Sequence, residues 1–158
     1  MKNVFYYETK IGRIGIADNG NSITDIFFAD NETPGDAAGM VQKETPLIKE
    51  ARRQIMEYLD GDRKEFDLPL GVEGTPFQKA AWDALLTIPY GETRSYKQMA
   101  ELVGNPKACR AIGLANNRNP ISIVIPCHRV IGANGKLVGY GGGLHIKEQL
   151  LAIEKQNL

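Results

Sequence analysis

The residues of this chain best suited to chemistry sit in one short stretch, NPISIVIPCHRVIG, residues 119–132. Cys127 is one of only two cysteines in 158 residues, and His128 and Arg129 follow it directly. A thiol is nucleophilic as its thiolate, and a nearby imidazole, guanidinium or oriented backbone N–H makes that form accessible. Adjacent side chains in extended chain point to opposite faces, so Cys127 and His128 can cooperate only if the backbone turns; Pro126 supplies a reason for it to do so. A buried, inert thiol is the competing role, and spacing alone does not choose between the two.

Metal binding is the other chemistry these residue types allow. Cys109, Cys127, His128 and His145 offer two sulfurs and two imidazoles. No C-x-x-C or H-x-x-x-H pair occurs, and nothing before Cys109 is Cys or His, so we expect no metal and no cofactor.

The elements that must position this stretch fall into two parts. VFYYET, RIGIAD and SITDIFF read as short strands with turn-formers such as Asn19-Gly20 between them, and a polar loop follows from Asp30 to Gly39. Thr45 and Pro46 then open a helix in which Leu47, Ile48, Ala51, Ile55, Tyr58 and Leu59 recur at helical spacing, with Gly61 at its end. GDRKEFDLPLGVEG reads as a short strand leading into a linker, and the boundary falls near Gly71–Gly74. We therefore expect an N-terminal α/β domain of a small antiparallel sheet plus helix over 1–70, and a mostly helical domain over 71–158.

In the second part Thr75, Pro76 and Gln78 form a capping box ahead of a buried stripe, Ala81, Trp82, Leu85 and Ile88, which makes Trp82 a packing residue. Ser95 and Gln98 form a second box, Gly104 closes that helix, and Asn105-Pro106 starts the next. Helices joined this tightly suggest a helix-turn-helix, its second helix carrying Lys107 and Arg110 near the N-terminus, where backbone N–H groups favour phosphate. Many helical hairpins bind nothing, so the pattern does not decide the matter. Beyond it the chain reads as extended from Ile121 to Ile125.

Charge divides the same way. The net charge is zero, but residues 1–70 hold nine basic and thirteen acidic side chains and residues 71–158 hold ten and six. Arg94, Lys97, Lys107, Arg110, Arg118 and Arg129 face a single acid, Glu101, a patch able to follow a phosphate backbone or simply to be a solvated face. With 42% apolar residues the chain can bury a core. No apolar run suits a membrane span, and the start lacks a secretory signal, so we expect a cytoplasmic protein, nucleoid-associated if bacterial or archaeal.

From about Gly74 to Glu154 the sequence resembles the C-terminal domain of the O6-alkylguanine-DNA alkyltransferases, or methylated-DNA-protein-cysteine methyltransferases. It carries PCHRV together with SY, NPKA-R, NP and YGGG elements in the family's order; the first half resembles the family only in length and its strand-rich start. The resemblance implies a winged helix-turn-helix in the second domain. It further implies a DNA repair enzyme that transfers the alkyl group of O6-alkylguanine, and of O4-alkylthymine, irreversibly and once to Cys127. Its partner would be double-stranded DNA bearing alkylated guanine, and it would act as a monomer.

On the same ground His128, oriented by Glu154, would take the thiol proton through a water, leaving Cys127 partly thiolate near neutral pH. Tyr96 would donate to N3 of a flipped base, and Arg110 would fill the vacated stack. Cys109, Ala108 and Ala111 would be small residues permitting close approach, with Lys107 and Ser95 also at the DNA. Asn119 would brace the active-site turn. Tyr140 and Gly141 would close over the base, and the backbone of Cys127 and Val130 would read its exocyclic amine. Relatives often have serine where Gly141 stands, so only its backbone N–H is available here. A non-catalytic alkylated-DNA binder of the same fold is the alternative, and the presence of Cys127 counts against it.

Overall fold

A computed structural model describes residues 1–29, 39–135, 140 and 143–158. They form two compact units, Met1–Val72 with Pro120–Ser122, and Glu73–Asn119 with Ile123–Leu158.

In the first unit, β1 (Asn3–Thr9), β2 (Gly12–Asp18) and β3 (Ile23–Phe28) make an antiparallel meander, and the short β4 (Val41–Gln42) joins the far edge of β1 in parallel, giving the order β3-β2-β1-β4. Two-residue alternation is clearest in β3, where Ile26 and Phe28 are buried and Asp25 and Phe27 less so. The helix α1 (Pro46–Leu59) packs on this sheet through Ile48, Ala51, Ile55, Tyr58 and Leu59. Thr45 caps it by accepting from the Ile48 N–H at 3.1 Å, and Gly61 adopts a φ of +82° just past its end.

The expected strand within residues 61–74 does not form. That segment makes one isolated bridge, Leu70 beside Ile23, held by Ile23 N–H to Pro69 O at 2.7 Å and Gly71 N–H to Ile23 O at 2.8 Å. Pro69 cannot donate, so no ladder can propagate through it. The other edge contact of β3 comes from far along the chain: Ile121 bridges Ile26, with Ile26 N–H donating to Pro120 O and Ser122 N–H to Ile26 O.

In the second unit α2 (Pro76–Leu85) carries the reciprocal Thr75–Gln78 capping box and buries Ala81, Trp82 and Leu85. Trp82 is a packing residue, and its indole N–H donates to Ala115 O at 2.9 Å. The two-residue strand β5 (Arg94–Ser95) pairs in parallel with β6 (Val130–Ile131). Between them run α3 (Tyr96–Leu102), capped by Ser95 and Gln98, and α4 (Cys109–Asn117), and the unit ends in α5 (Leu144–Gln156).

The second helix of the pair begins later than Pro106. Gly104, at φ +81°, closes α3, while Asn105 N–H reaches back to Ala100 O; residues 105–108 then form a turn with Ala108 N–H on Asn105 O at 3.0 Å. Lys107 thus lies ahead of α4, and Arg110 is its second residue. The expected extended run from Ile121 to Ile125 is also corrected. Only Ile121 is paired; Ile123 takes a φ of +74°, rare for a β-branched residue, and the chain turns through residues 122–124. Among the described residues no helix is long and apolar enough to cross a membrane.

Candidate active site

The backbone does turn at the thiol. Pro126 leads into a single 3-10 turn, Cys127–Arg129, closed by Arg129 N–H to Pro126 O at 3.0 Å, while Cys127 N–H donates to Ile125 O at 2.8 Å. All three side chains of the turn are buried, His128 completely. Asn119 braces the loop from the other side: its Nδ2 donates to Ile125 O at 2.8 Å, and its side chain also hydrogen-bonds Cys127.

Behind the turn lies a buried ion cluster centred on Glu154 of α5, which is 1% exposed. Its Oε2 is 2.6 Å from His128 Nε2 and 3.0 Å from Arg129 Nη2; its Oε1 accepts from Arg129 Nε at 2.8 Å and from the Gly91 N–H at 3.0 Å. Arg129 Nη1 donates to Ile88 O at 2.7 Å, and the guanidinium lies over the Tyr90 ring. Four donors converge on one carboxylate, which holds it as the anion. That fixes the imidazole tautomer, because Nε2 must carry the proton it gives to Glu154, leaving the Nδ1 lone pair as the proton acceptor.

Burial pushes His128 below its ordinary range, against the pull of the Glu154 hydrogen bond and charge, with Arg129 and Lys147 adding to the lowering. The ring is neutral at pH 7 and able to act as a base. The surroundings of Cys127 run against the resting thiolate that its neighbours in sequence suggest. Burial pushes the Cys127 thiol up, and the Asn119 hydrogen bond, the Lys147 charge and the residue's own backbone contact only partly offset this.

Two residues have parts in the site that the sequence did not give them. Arg129, read as a neighbour able to favour the thiolate and as a member of the basic patch, is 7% exposed and spent on Glu154, so it is not available to a phosphate. Lys147 is fully buried, and its Nζ donates to Val130 O at 2.6 Å, which ties α5 to the residue that follows the turn. Burial lowers its pKa and the Cys127 charge works in the opposite direction. The adjacency of Arg129 to His128 was a visible signal; nothing local marked Lys147.

Tyr96 is the half-buried first residue of α3. Its phenol is pushed up by burial and by the charge of Cys127, so it is a neutral donor close to the thiol. It lines an open cleft of about 480 Å³ with Cys109, Arg110, Gly113, Leu114 and Asn117 of α4. A Cβ on Gly113 would lie 3.8 Å from the Tyr96 ring, so this glycine keeps the cleft wall low.

Known proteins settle the family. Residues 76–156 match the family model of the 6-O-methylguanine DNA methyltransferase DNA binding domain, and residues 4–72 match that of the ribonuclease-like domain of the same methyltransferases. The chain belongs to this family. A methylated-DNA–protein-cysteine methyltransferase of Methanosarcina acetivorans is 49% identical over 148 residues, 94% of this chain and 95% of that one. The constitutive enzyme of that name from Bacillus subtilis is 49% identical over 153 residues, 94% and 92% of the two chains. The crystal structure of Mycobacterium tuberculosis O6-methylguanine methyltransferase superposes with a TM-score of 0.94 at 42% identity, covering 100% of this chain and 95% of that one. That of M. tuberculosis OGT in complex with DNA superposes at 0.91 and 43% identity, covering 98% and 94%.

The other residues that the family resemblance marked have the following places. Arg110 and Lys107 are exposed, and Ala111 is half-buried on α4. The Ser95 hydroxyl accepts from Gln98 N–H at 3.1 Å as the cap of α3, which leaves its proton and its second lone pair for a ligand. Asn119 is engaged in the turn and not in the exposed face of α4. The carbonyls of Cys127 and Val130 already hold one donor each, the Val130 N–H and Lys147 Nζ, which leaves each a second lone pair. Tyr140 is half-buried with its hydroxyl inside, whereas Gly141 lies outside the described residues. Of the basic patch, Arg94 is paired with Glu92 at 3.1 Å, while Lys97, Lys107, Arg110 and Arg118 are exposed.

Proposed function

We propose that this protein repairs DNA by moving the alkyl group of O6-alkylguanine onto Cys127, once per molecule. The observation that carries the reading is a buried turn that holds a thiol and a neutral imidazole of fixed tautomer against the α5 carboxylate that fixes it, in the same unit as a cleft lined by Tyr96 and Arg110. The family name of the relatives, and a relative's structure in complex with DNA, support the same substrate class.

In this mechanism the lesion swings out of the duplex, since the alkyl carbon cannot be lined up with a protein thiol while the base is stacked. Arg110 fills the gap and the exposed lysines and arginines follow phosphate. As the base enters, the Cys127 proton passes through a water to His128 Nδ1, and the Glu154 carboxylate stabilises the imidazolium. Sulfur attacks the alkyl carbon, the S–C bond forms as the C–O6 bond breaks, and the electron pair leaves with guanine. Tyr96 donates to N3 of the departing base, offsetting its charge, and the proton held on His128 returns to guanine through solvent. The thioether does not hydrolyse, so the protein is consumed. The same geometry suits O4-alkylthymine, whose alkyl-bearing oxygen lies on a comparable ring edge. We assign the protein to the cytoplasm, acting as a monomer.

The test is to incubate the protein with duplex DNA containing one O6-methylguanine and weigh it intact. One methylene of added mass per chain is expected, mapping to Cys127 and absent in Cys127→Ser, which should still bind DNA. Added mass in the serine variant would refute the assignment.

A further inference from the structure

Asn116, near the end of α4, is half-buried, yet both its amide nitrogen and its amide oxygen are buried with no hydrogen-bond partner among the described residues. Buried amides are nearly always paired, because an unpaired donor and acceptor cost the fold stability. A polar group kept at such a cost invites the question of what pairs with it.

Its position on the helix supplies an answer. On one side of residue 116 lie Ile112 and Ala115, both buried. On the other lie Cys109 and Gly113, which line the cleft with Tyr96. Three residues further on, Asn119 reaches the Ile125 carbonyl and Cys127. Helical spacing therefore sets Asn116 at the border between the buried face of α4 and the face that lines the Tyr96 cleft, one turn before the loop that Asn119 braces.

We propose that Asn116 binds the base: its carboxamide hydrogen-bonds the polar edge of the purine held between Tyr96 and Cys127. This rests on the alkyl-transfer reading above. A purine edge carries ring-nitrogen acceptors and an exocyclic amine donor, which match the NH2 and C=O of an amide. The substrate then supplies the partners that the free protein lacks, and the residue trades stability for recognition.

The variant is Asn116→Leu, close in shape and without polar atoms. Removing an unpaired buried amide raises Tm, by about 2–4 °C for a chain of this size. With free O6-methylguanine as the probe, the concentration giving half-maximal methylation of the protein rises about tenfold, the ordinary worth of a lost hydrogen bond or two, while the limiting rate is retained. A lower Tm, or failure to fold, would show that the amide is structural and overturn the proposal, as would an unchanged concentration dependence. If wild-type protein is not methylated at all, the alkyl-transfer reading falls and this assignment with it. If wild-type is methylated and Asn116→Leu shows the same dependence, only the assignment of Asn116 falls.

Discussion

Replacing Glu154 by Gln separates the stability of the buried cluster from its chemistry. The carboxylate is 1% exposed and takes four donors, two of them from Arg129, which is itself 7% exposed. Gln keeps an acceptor for His128 Nε2 but removes the charge, so Arg129 is left buried without a counter-ion. Breaking a buried pair from one side costs about 3–5 kcal/mol. At about 2–4 °C per kcal/mol for a protein of this size, Tm should fall by about 6–20 °C, with the chain still folded at 25 °C if its stability is in the usual range of about 5–15 kcal/mol. The chemical effect is distinct. Both contributions of Glu154 raise the basicity of His128, so their loss should slow methyl transfer about 10- to 100-fold, part of what a general base contributes. The double variant Arg129→Met, Glu154→Gln removes both charges, and replacing both partners of a buried pair is often close to neutral. Its Tm should recover most of the loss while its transfer rate stays low. The assays are thermal unfolding and the single-turnover rate on O6-methylguanine duplex. A double variant that recovers both Tm and rate would refute the argument, because the carboxylate would then be needed only to neutralise Arg129.

Arg110→Ala should slow reaction with duplex DNA far more than reaction with free O6-alkylguanine base, and equal slowing of both would place Arg110 in the chemistry instead. His128 is held below its ordinary value, so the transfer rate should persist as pH falls through about 6.5 and drop only at lower pH; a rate that halves near 6.5 would show an unshifted imidazole. The same shift makes a stability prediction. The unfolded chain takes up the proton first, so the contribution of neutral His128 is fully present above its unfolded pKa and lost as pH falls below about 6.5 toward the folded value, an effect that His128→Gln should remove from the pH dependence of Tm. Brief, substoichiometric labelling with a small alkylating probe should modify the half-exposed Cys109 before the 6%-exposed Cys127, whereas methylated DNA should place its methyl on Cys127; fast probe labelling of Cys127 would contradict its desolvation.

The sequence by itself determined whatever is satisfied within a few residues. The boxes Thr75–Gln78 and Ser95–Gln98 and the Thr45 cap are closed by partners three positions away, so spacing alone located the starts of α1, α2 and α3. Alternating apolar residues and turn-formers located β1 to β3, and the order of motifs around Cys127 and Glu154 carried the family. Tertiary structure decided what depends on distant neighbours. Arg129 is a buried partner of Glu154 because α5 folds behind the turn, and Lys147 finds Val130 O for the same reason. The segment from Ile121 to Ile125 is apolar and β-branched like a strand, yet only Ile121 meets an edge to pair with, so the rest turns. The state of Cys127 belongs to the same class. A neighbouring histidine and arginine promise a thiolate when the stretch is read as a line, but desolvation is set by everything packed around the sulfur, and here burial outweighs them.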